Sequence, residues 1–139
     1  MTRKSDTAVQ QLKTRIRGAG LRFTGARASV LRTLEKATTP MSHADVVAKV
    51  ASEGFEPSTI YRNLIDLETA GLVHRLDVGD HVWRFELRGE SDNEHAHFVC
   101  GSCGVVECLP EASVTIKGVA ARVGHVAEVL LKGSCASCR

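Results

Sequence analysis

Four of the five cysteines in this 139-residue chain fall in two Cys-x-x-Cys pairs, Cys100-Gly-Ser-Cys103 and Cys135-Ala-Ser-Cys138. Two such turns supply the four thiolates, at about 2.3 Å, that a tetrahedral zinc ion takes. Four thiolates fill the coordination sphere and leave no position open for chemistry, so the expected ion is structural Zn2+. The residue types also suit a thioredoxin-like redox pair or two intrachain disulfides. A redox pair uses a single motif at a helix N-terminus and leaves the second unexplained. The fifth cysteine, Cys108, reads as a small core residue.

A second group of potential ligands lies just upstream. In His95-Ala96-His97 the two histidines are two apart, so on a strand both imidazoles point to one face and can reach one ion. Glu86 lies across a polar stretch, and His74 sits on an earlier segment that reads as a strand. Imidazoles with one carboxylate suit Zn(II), Fe(II), Mn(II) or Ni(II). A lone histidine is more often structural, but a His-x-His beside a cysteine knuckle favours a second, regulatory divalent metal. His81, Glu107 and His125 are further candidate ligands. His43 falls near the start of a helix and reads as having no metal role.

These groups must be positioned by elements that the sequence also marks. Val9, Leu12 and Ile16 recur at helical spacing ahead of Gly18 and Gly20. Thr24 can cap a second helix carrying Ala28, Val30, Leu31 and Leu34. Ser42 can cap a third with Val46, Val47 and Val50 on its apolar face and Gly54 at its end. A fourth starts at Pro57 or Ser58 and stops at Gly71. There Ile60, Leu64 and Leu67 face inward, and Thr59, Arg62, Asn63 and Asp66 are read on the opposite face. Two alternating segments, GLVHRL and HVWRFEL, flank a VGD turn and read as a β-hairpin. Helices followed by a hairpin give a winged helix-turn-helix. The polar run 88–94 reads as a hinge. Beyond it come strands around HAHFVC and VVECL, a helix from about Glu111 to Arg122, and a last strand, HVAEVLLKG. The expected class is α+β: a winged-helix DNA-binding domain over residues 1–87, and a small α/β dimerisation and metal-binding domain over 95–139. Exposed strand edges in the second domain favour pairing with another copy.

Charge divides along the same line. Residues 1–75 hold twelve Lys/Arg against seven Asp/Glu, and residues 76–139 hold six against nine. A basic half joined to an acidic half fits a polyanion partner, although a solvated helix face accounts for the charge equally well. With only 4% aromatic residues the core must be aliphatic, and small aliphatic lobes often need a metal or a partner. No apolar run approaches the roughly 18 residues that span a bilayer, and residues 1–20 lack an apolar signal core. No membrane partner and a cytoplasmic location are expected, and disulfides are rare there.

The segments GLRFTGARASVLRTL (20–34), STIYRNLIDLETAGLV (58–73), VWRFEL (82–87), HAHFVCGSCG (95–104) and GSCASC (133–138) occur in an order and spacing that resembles the ferric-uptake-regulator (Fur) family of metal-dependent repressors. The resemblance runs from about Leu12 to Cys138. It implies a homodimer that binds an inverted-repeat operator in double-stranded DNA, a four-cysteine structural zinc, and a sensor metal between the two domains. It implies that Tyr61 and Arg62 meet DNA from the recognition helix, and that Arg22 approaches the minor groove. On the winged-helix reading, Thr59 and Asn63 join them in the major groove. Glu86, His95 and His97 match shared sensor ligands, and His74 stands where zinc-sensing members place their fourth. Met41 stands where iron- and peroxide-sensing members usually have a ligand histidine. Zinc is therefore the favoured sensed metal, with iron, then manganese or nickel, as the alternative. The resemblance is greatest to the zinc-uptake-regulator (Zur) branch.

Two other classes are weaker. A metallohydrolase built on the His/Glu group needs an open coordination position, a base and a substrate pocket, for which a chain this small has little room; no enzyme is expected. A zinc-stapled module that binds no DNA leaves the basic first 36 residues and the fourth helix unexplained.

Overall fold

The computed structural model describes residues 2–88, 96–109, 114–118, 122–124, 126 and 128–139, with side chains described from Asp6 onward. The chain divides into two compact units, Met1–Arg88 and Gly89–Arg139.

The first unit packs four helices on a small sheet: α1 (Thr2–Gly18), α2 (Gly25–Lys36), β1 (Met41–Ser42), α3 (His43–Lys49), a 3-10 turn (Ala51–Glu53), α4 (Pro57–Thr69), β2 (Val73–Asp77) and β3 (Trp83–Leu87). The helix starts follow local chemistry. The Thr24 hydroxyl accepts from the Arg27 N–H at 3.2 Å and opens α2. Ser42 and Asp45 form a reciprocal capping box at α3, at 3.1 and 3.0 Å. Pro57, with its φ preset and no N–H to satisfy, occupies the first turn of α4. After α4 the chain turns through Gly71 at φ +82°, a conformation that suits glycine.

The core joins one face from each helix: Leu12 and Ile16 of α1, Ala28, Val30, Leu31 and Leu34 of α2, Val46 of α3, and Ile60, Leu64 and Leu67 of α4, closed by Val73 and Phe85 of the sheet. Removing one such large aliphatic side chain from water contributes about 1.5–3 kcal/mol. Val9, read with Leu12 and Ile16 as one stripe, is 41% exposed, so only the latter two anchor α1.

The sheet order is β1-β3-β2, all antiparallel. Together with α2, α3 and α4 it forms a winged helix. Strand β1 has no sequence signature of its own. Its two residues pair with Phe85 and Arg84, and burial of Met41 in the core holds them there. The hairpin turn is longer than the VGD turn expected. It runs from Val78 to Val82, with Asp77 and Asp80 accepting from the Gly79 and Val82 N–H groups at 2.8 and 3.2 Å.

The second unit contains β4 (His97–Cys100), β5 (Val106–Cys108) and β6 (Leu130–Gly133) in the order β5-β4-β6. β4 runs antiparallel to β5 and parallel to β6. Two expectations need correcting. The segment read as a helix from Glu111 to Arg122 is not helical at the described residues 114–118. Val114, Thr115 and Ile116 are β-branched and pack poorly against a preceding helical turn, and Gly118 has φ +79°. The last strand covers only Leu130–Gly133; Glu128 and Val129, read as part of it, lie outside it, although the Val129 carbonyl still accepts from the His97 N–H at 3.0 Å.

Candidate metal centres and nucleic-acid interface

The parallel pairing of β4 with β6 sets Cys100 opposite Gly133. The Gly101 N–H donates to the Gly133 carbonyl at 2.8 Å and ties the two strand ends together. Each strand then runs into its Cys-x-x-Cys turn. The first turn closes through Gly104, whose N–H bonds the Cys100 carbonyl at 2.9 Å and whose φ is +78°. The second closes through the Cys138 N–H on the Cys135 carbonyl at 3.0 Å.

The result is that the sulfurs of Cys100, Cys103, Cys135 and Cys138 all lie within 4.8 Å of one another. Cys103 and Cys135 are 3.8 Å apart. A tetrahedron with arms of about 2.3 Å has edges of about 3.8 Å, whereas a disulfide needs about 2.05 Å. All five cysteines are unbridged. The group could therefore hold a zinc ion.

Its electrostatics agree with that. Backbone N–H groups of Cys103 and Cys135 pull the Cys100 thiol down to about 6. The neighbouring Cys135, Cys103 and Cys100 sulfurs push Cys138 up to about 12. Four thiols crowded this closely cannot all ionise unless a cation offsets their charge.

Three of the four residues read as regulatory ligands are described, and each stands in a cross-strand pair within its own unit. His74 of β2 stands opposite Glu86 of β3. His97 of β4, 2% exposed, stands opposite Cys108 of β5. His95 and His125 lie outside the described residues. His81 sits in the hairpin turn at φ +63°, beyond the Asp77–Trp83 pair, while His74 and Glu86 lie near the other end of the hairpin. Glu107 pairs with Phe98, one step along from His97. Successive residues alternate faces, so Glu107 points away from His97, and Cys108 is the ligand-bearing residue on the His97 face. Cys108 was read as a core residue. The signal that finds it is strand register, which spacing in the sequence does not carry.

The residues read as DNA contacts lie in the first unit. Arg22 is exposed in the α1–α2 loop, where its carbonyl accepts from the Arg27 guanidinium at 2.8 Å. Another nitrogen of Arg27 bridges to Asp66 of α4 at 2.9 Å, so one side chain joins this loop to α4. Tyr61 and Arg62 are exposed on α4, and Thr59 is half-buried. Asn63 is not on the outer face. It is 7% exposed, and its amide donates to the Thr59 carbonyl one turn back at 2.9 Å. Its position three residues after Ile60 places it on the inward stripe.

Among the described residues no helix is long and apolar enough to cross a membrane. A family model for the ferric uptake regulator family matches residues 18–125. The chain is 41% identical over 104 residues to a ferric uptake regulation protein of Legionella pneumophila, covering 70% of each. It is similar to the ferric uptake regulator from Francisella tularensis solved with iron, at 25% identity and TM-score 0.70, over 86% of this chain and 96% of that one. It shares a fold with a zinc uptake regulator solved with zinc and DNA, at 23% identity and TM-score 0.61, over 96% and 93% of the two chains. The chain belongs to the ferric uptake regulator family of metal-responsive, DNA-binding transcriptional regulators.

Proposed function

We propose that this regulator is a zinc-responsive repressor that binds inverted-repeat operators as a metal-loaded homodimer and controls metal-homeostasis genes in the cytoplasm. Residues 1–87 serve as its DNA-binding part, the polar run 88–94 as a hinge, and residues 95–139 as its dimerisation and metal-binding part. Cys100, Cys103, Cys135 and Cys138 hold the structural zinc. His74, Glu86, His95 and His97 hold the regulatory ion.

The observation that carries the choice of zinc is Cys108 opposite His97. A thiolate beside an imidazole is a softer donor set than the oxygen- and nitrogen-rich sites suited to iron or manganese. We therefore add Cys108 to the regulatory ligands. Met41 supports the same reading: it is a buried core residue and offers no imidazole.

Metal and DNA binding favour one another reciprocally by about 1–3 kcal/mol. Arg22, Tyr61 and Arg62 meet the duplex, with Thr59 beside them. Arg62 carries base readout, because a guanidinium can bond a base edge at two points. Basic residues of α1 and α2 meet phosphates.

The test is operator binding titrated against buffered Zn(II), Fe(II), Mn(II) and Ni(II), with the four-cysteine site already filled. Binding switched on at the lowest free concentration by zinc supports the proposal. Binding switched on only by iron overturns it and favours the alternative reading, an iron sensor, which the relative at 41% identity supports.

A further inference from the structure

We infer that His43 is a positioning residue of the DNA interface, holding the first turn of α4 and the ring of Tyr61 in the orientation that reads the operator. The inference rests on the proposal that Tyr61 and Arg62 contact DNA.

His43 is the first residue of α3, yet its contacts are on α4. Its Nε2 lies 2.7 Å from the Pro57 carbonyl oxygen. A carbonyl can only accept, so Nε2 carries the proton and donates. The imidazole also packs edge-to-face on Tyr61, with ring centroids 5.4 Å apart and planes at 74°, the geometry aromatic pairs prefer. One side chain thus holds two points of α4: its first residue and the aromatic residue one turn on.

Those points are the ones the core leaves unsecured. Ile60, Leu64 and Leu67 anchor α4 along its inner face. Glu56, at the N-cap, makes no side-chain capping bond. Tyr61 is 43% exposed on the outer face. An exposed tyrosine samples several rotamers and loses that freedom on binding. A ring packed against it in the free protein removes part of that loss beforehand, the general benefit of preorganisation.

The test uses the full chain, loaded with the metal that gives tightest binding, and a duplex selected by the wild-type protein from a random pool. Replacing one hydrogen bond and one ring contact is expected to weaken operator binding about five- to tenfold in His43→Ala. Affinity for an unrelated duplex should stay within error, and the melting temperature should fall by no more than a few degrees, leaving the protein folded at the temperature of the binding assay. His43→Gln, which keeps an N–H donor, should recover part of the loss. In Tyr61→Ala the further change His43→Ala should cost less than it does with Tyr61 present, because the ring contact is already gone and only the bond to the Pro57 carbonyl remains to be lost.

Equal loss on both duplexes would show a merely structural role and overturn the inference. So would operator affinity unchanged in His43→Ala. If His43→Ala weakens operator binding while Tyr61→Ala does not, His43 touches DNA itself and positioning is wrong. If Tyr61→Ala and Arg62→Ala are both without effect, the underlying reading of the DNA interface fails, whatever His43 does.

Discussion

His97 and Cys108 face one another across the antiparallel β4–β5 pair, while Glu107, adjacent in sequence to Cys108, lies on the other face of the sheet. A buried histidine opposite a thiol is a donor pair suited to a soft or borderline cation.

Cys108→Ser tests that pair. A serine hydroxyl has nearly the same size but is a poor zinc ligand at neutral pH. Regulatory zinc binding is expected to weaken by at least about tenfold, or 1.4 kcal/mol, while Mn(II) binding changes less. The first equivalent of zinc, held by the four cysteines, should be retained. Chelator competition on protein already holding one zinc measures both. Unchanged zinc affinity would make Cys108 a packing residue.

Removing the structural ion should unfold the second unit selectively. The two cysteine turns close the β4–β6 pair at this end beside the Gly101–Gly133 bond, and thiolate–zinc binding energy there is folding energy. Under a strong chelator at about neutral pH, the amides of Cys100, Gly101 and Gly104 should lose hydrogen-exchange protection, while those of α2 and α4 keep theirs. Cys138→Ser should behave the same way without chelator. Protection that survives zinc removal would refute a structural role for the ion.

The pH dependence of that site has a definite sign. Cys100 is pulled down from 9.0 to about 6 in the folded chain, so its contribution to metal-free stability is present above pH 9.0 and is lost as pH falls through about 6. Cys138 is pushed up from 9.0 to about 12, so its contribution is present below pH 9.0 and is lost as pH rises toward about 12. Zinc takes all four sulfurs as thiolates, so binding releases protons. Zinc affinity should therefore fall with falling pH, most steeply below about pH 6, where Cys100 too must give up a proton to bind. Titration calorimetry in buffers of different ionisation enthalpy measures the proton release.

Asn63 and Arg62 are neighbours with opposite expected effects. Asn63→Ala removes a buried amide and its bond to Thr59, which should cost about 1 kcal/mol of stability and leave the operator affinity of the folded protein intact. Arg62→Ala should leave stability unchanged and cost about 1–3 kcal/mol in operator binding, with relaxed base preference at one position. Urea unfolding and fluorescence anisotropy separate the two. A loss of operator affinity in Asn63→Ala without loss of stability would return Asn63 to the interface.

These pairs show what sequence carries and what it does not. Thr24, Ser42, Pro57 and Gly71 mark their helix ends because capping and turn chemistry are local. The apolar stripe of α4 is equally legible, but its width is not. Asn63 lies on it at the spacing of Ile60 and Leu67, although its side chain is polar. Strand β1 was not legible, because two residues become a strand only through Phe85 and Arg84, more than forty positions away. The failure at 114–118 is of another kind. The β-branched run Val114, Thr115 and Ile116 opposes the helix expected over Glu111 to Arg122. Cysteine spacing announced the four-sulfur group in full, whereas finding Cys108 required the register of β4 on β5.

The second unit also leaves Val105, Ile116, Val123, Val126 and Leu131 exposed, Ile116 by 51% and Leu131 by 39%. Among the described residues β5 and β6 are edge strands, and Leu131 lies on β6. Apolar side chains on an uncovered edge favour association with another chain, and for a regulator of this family the expected associate is a second copy. A lysine placed in such a contact must be desolvated, so Leu131→Lys and Ile116→Lys should each weaken the dimer by about 1–3 kcal/mol. Neither position is a metal ligand, so the four-cysteine zinc should remain at one per chain. Sedimentation equilibrium with zinc analysis measures both quantities. Because two half-sites are bound together, a weaker dimer should also make operator binding steeper in protein concentration. A dimer unchanged by both substitutions would place the subunit contact on a different face of the second unit.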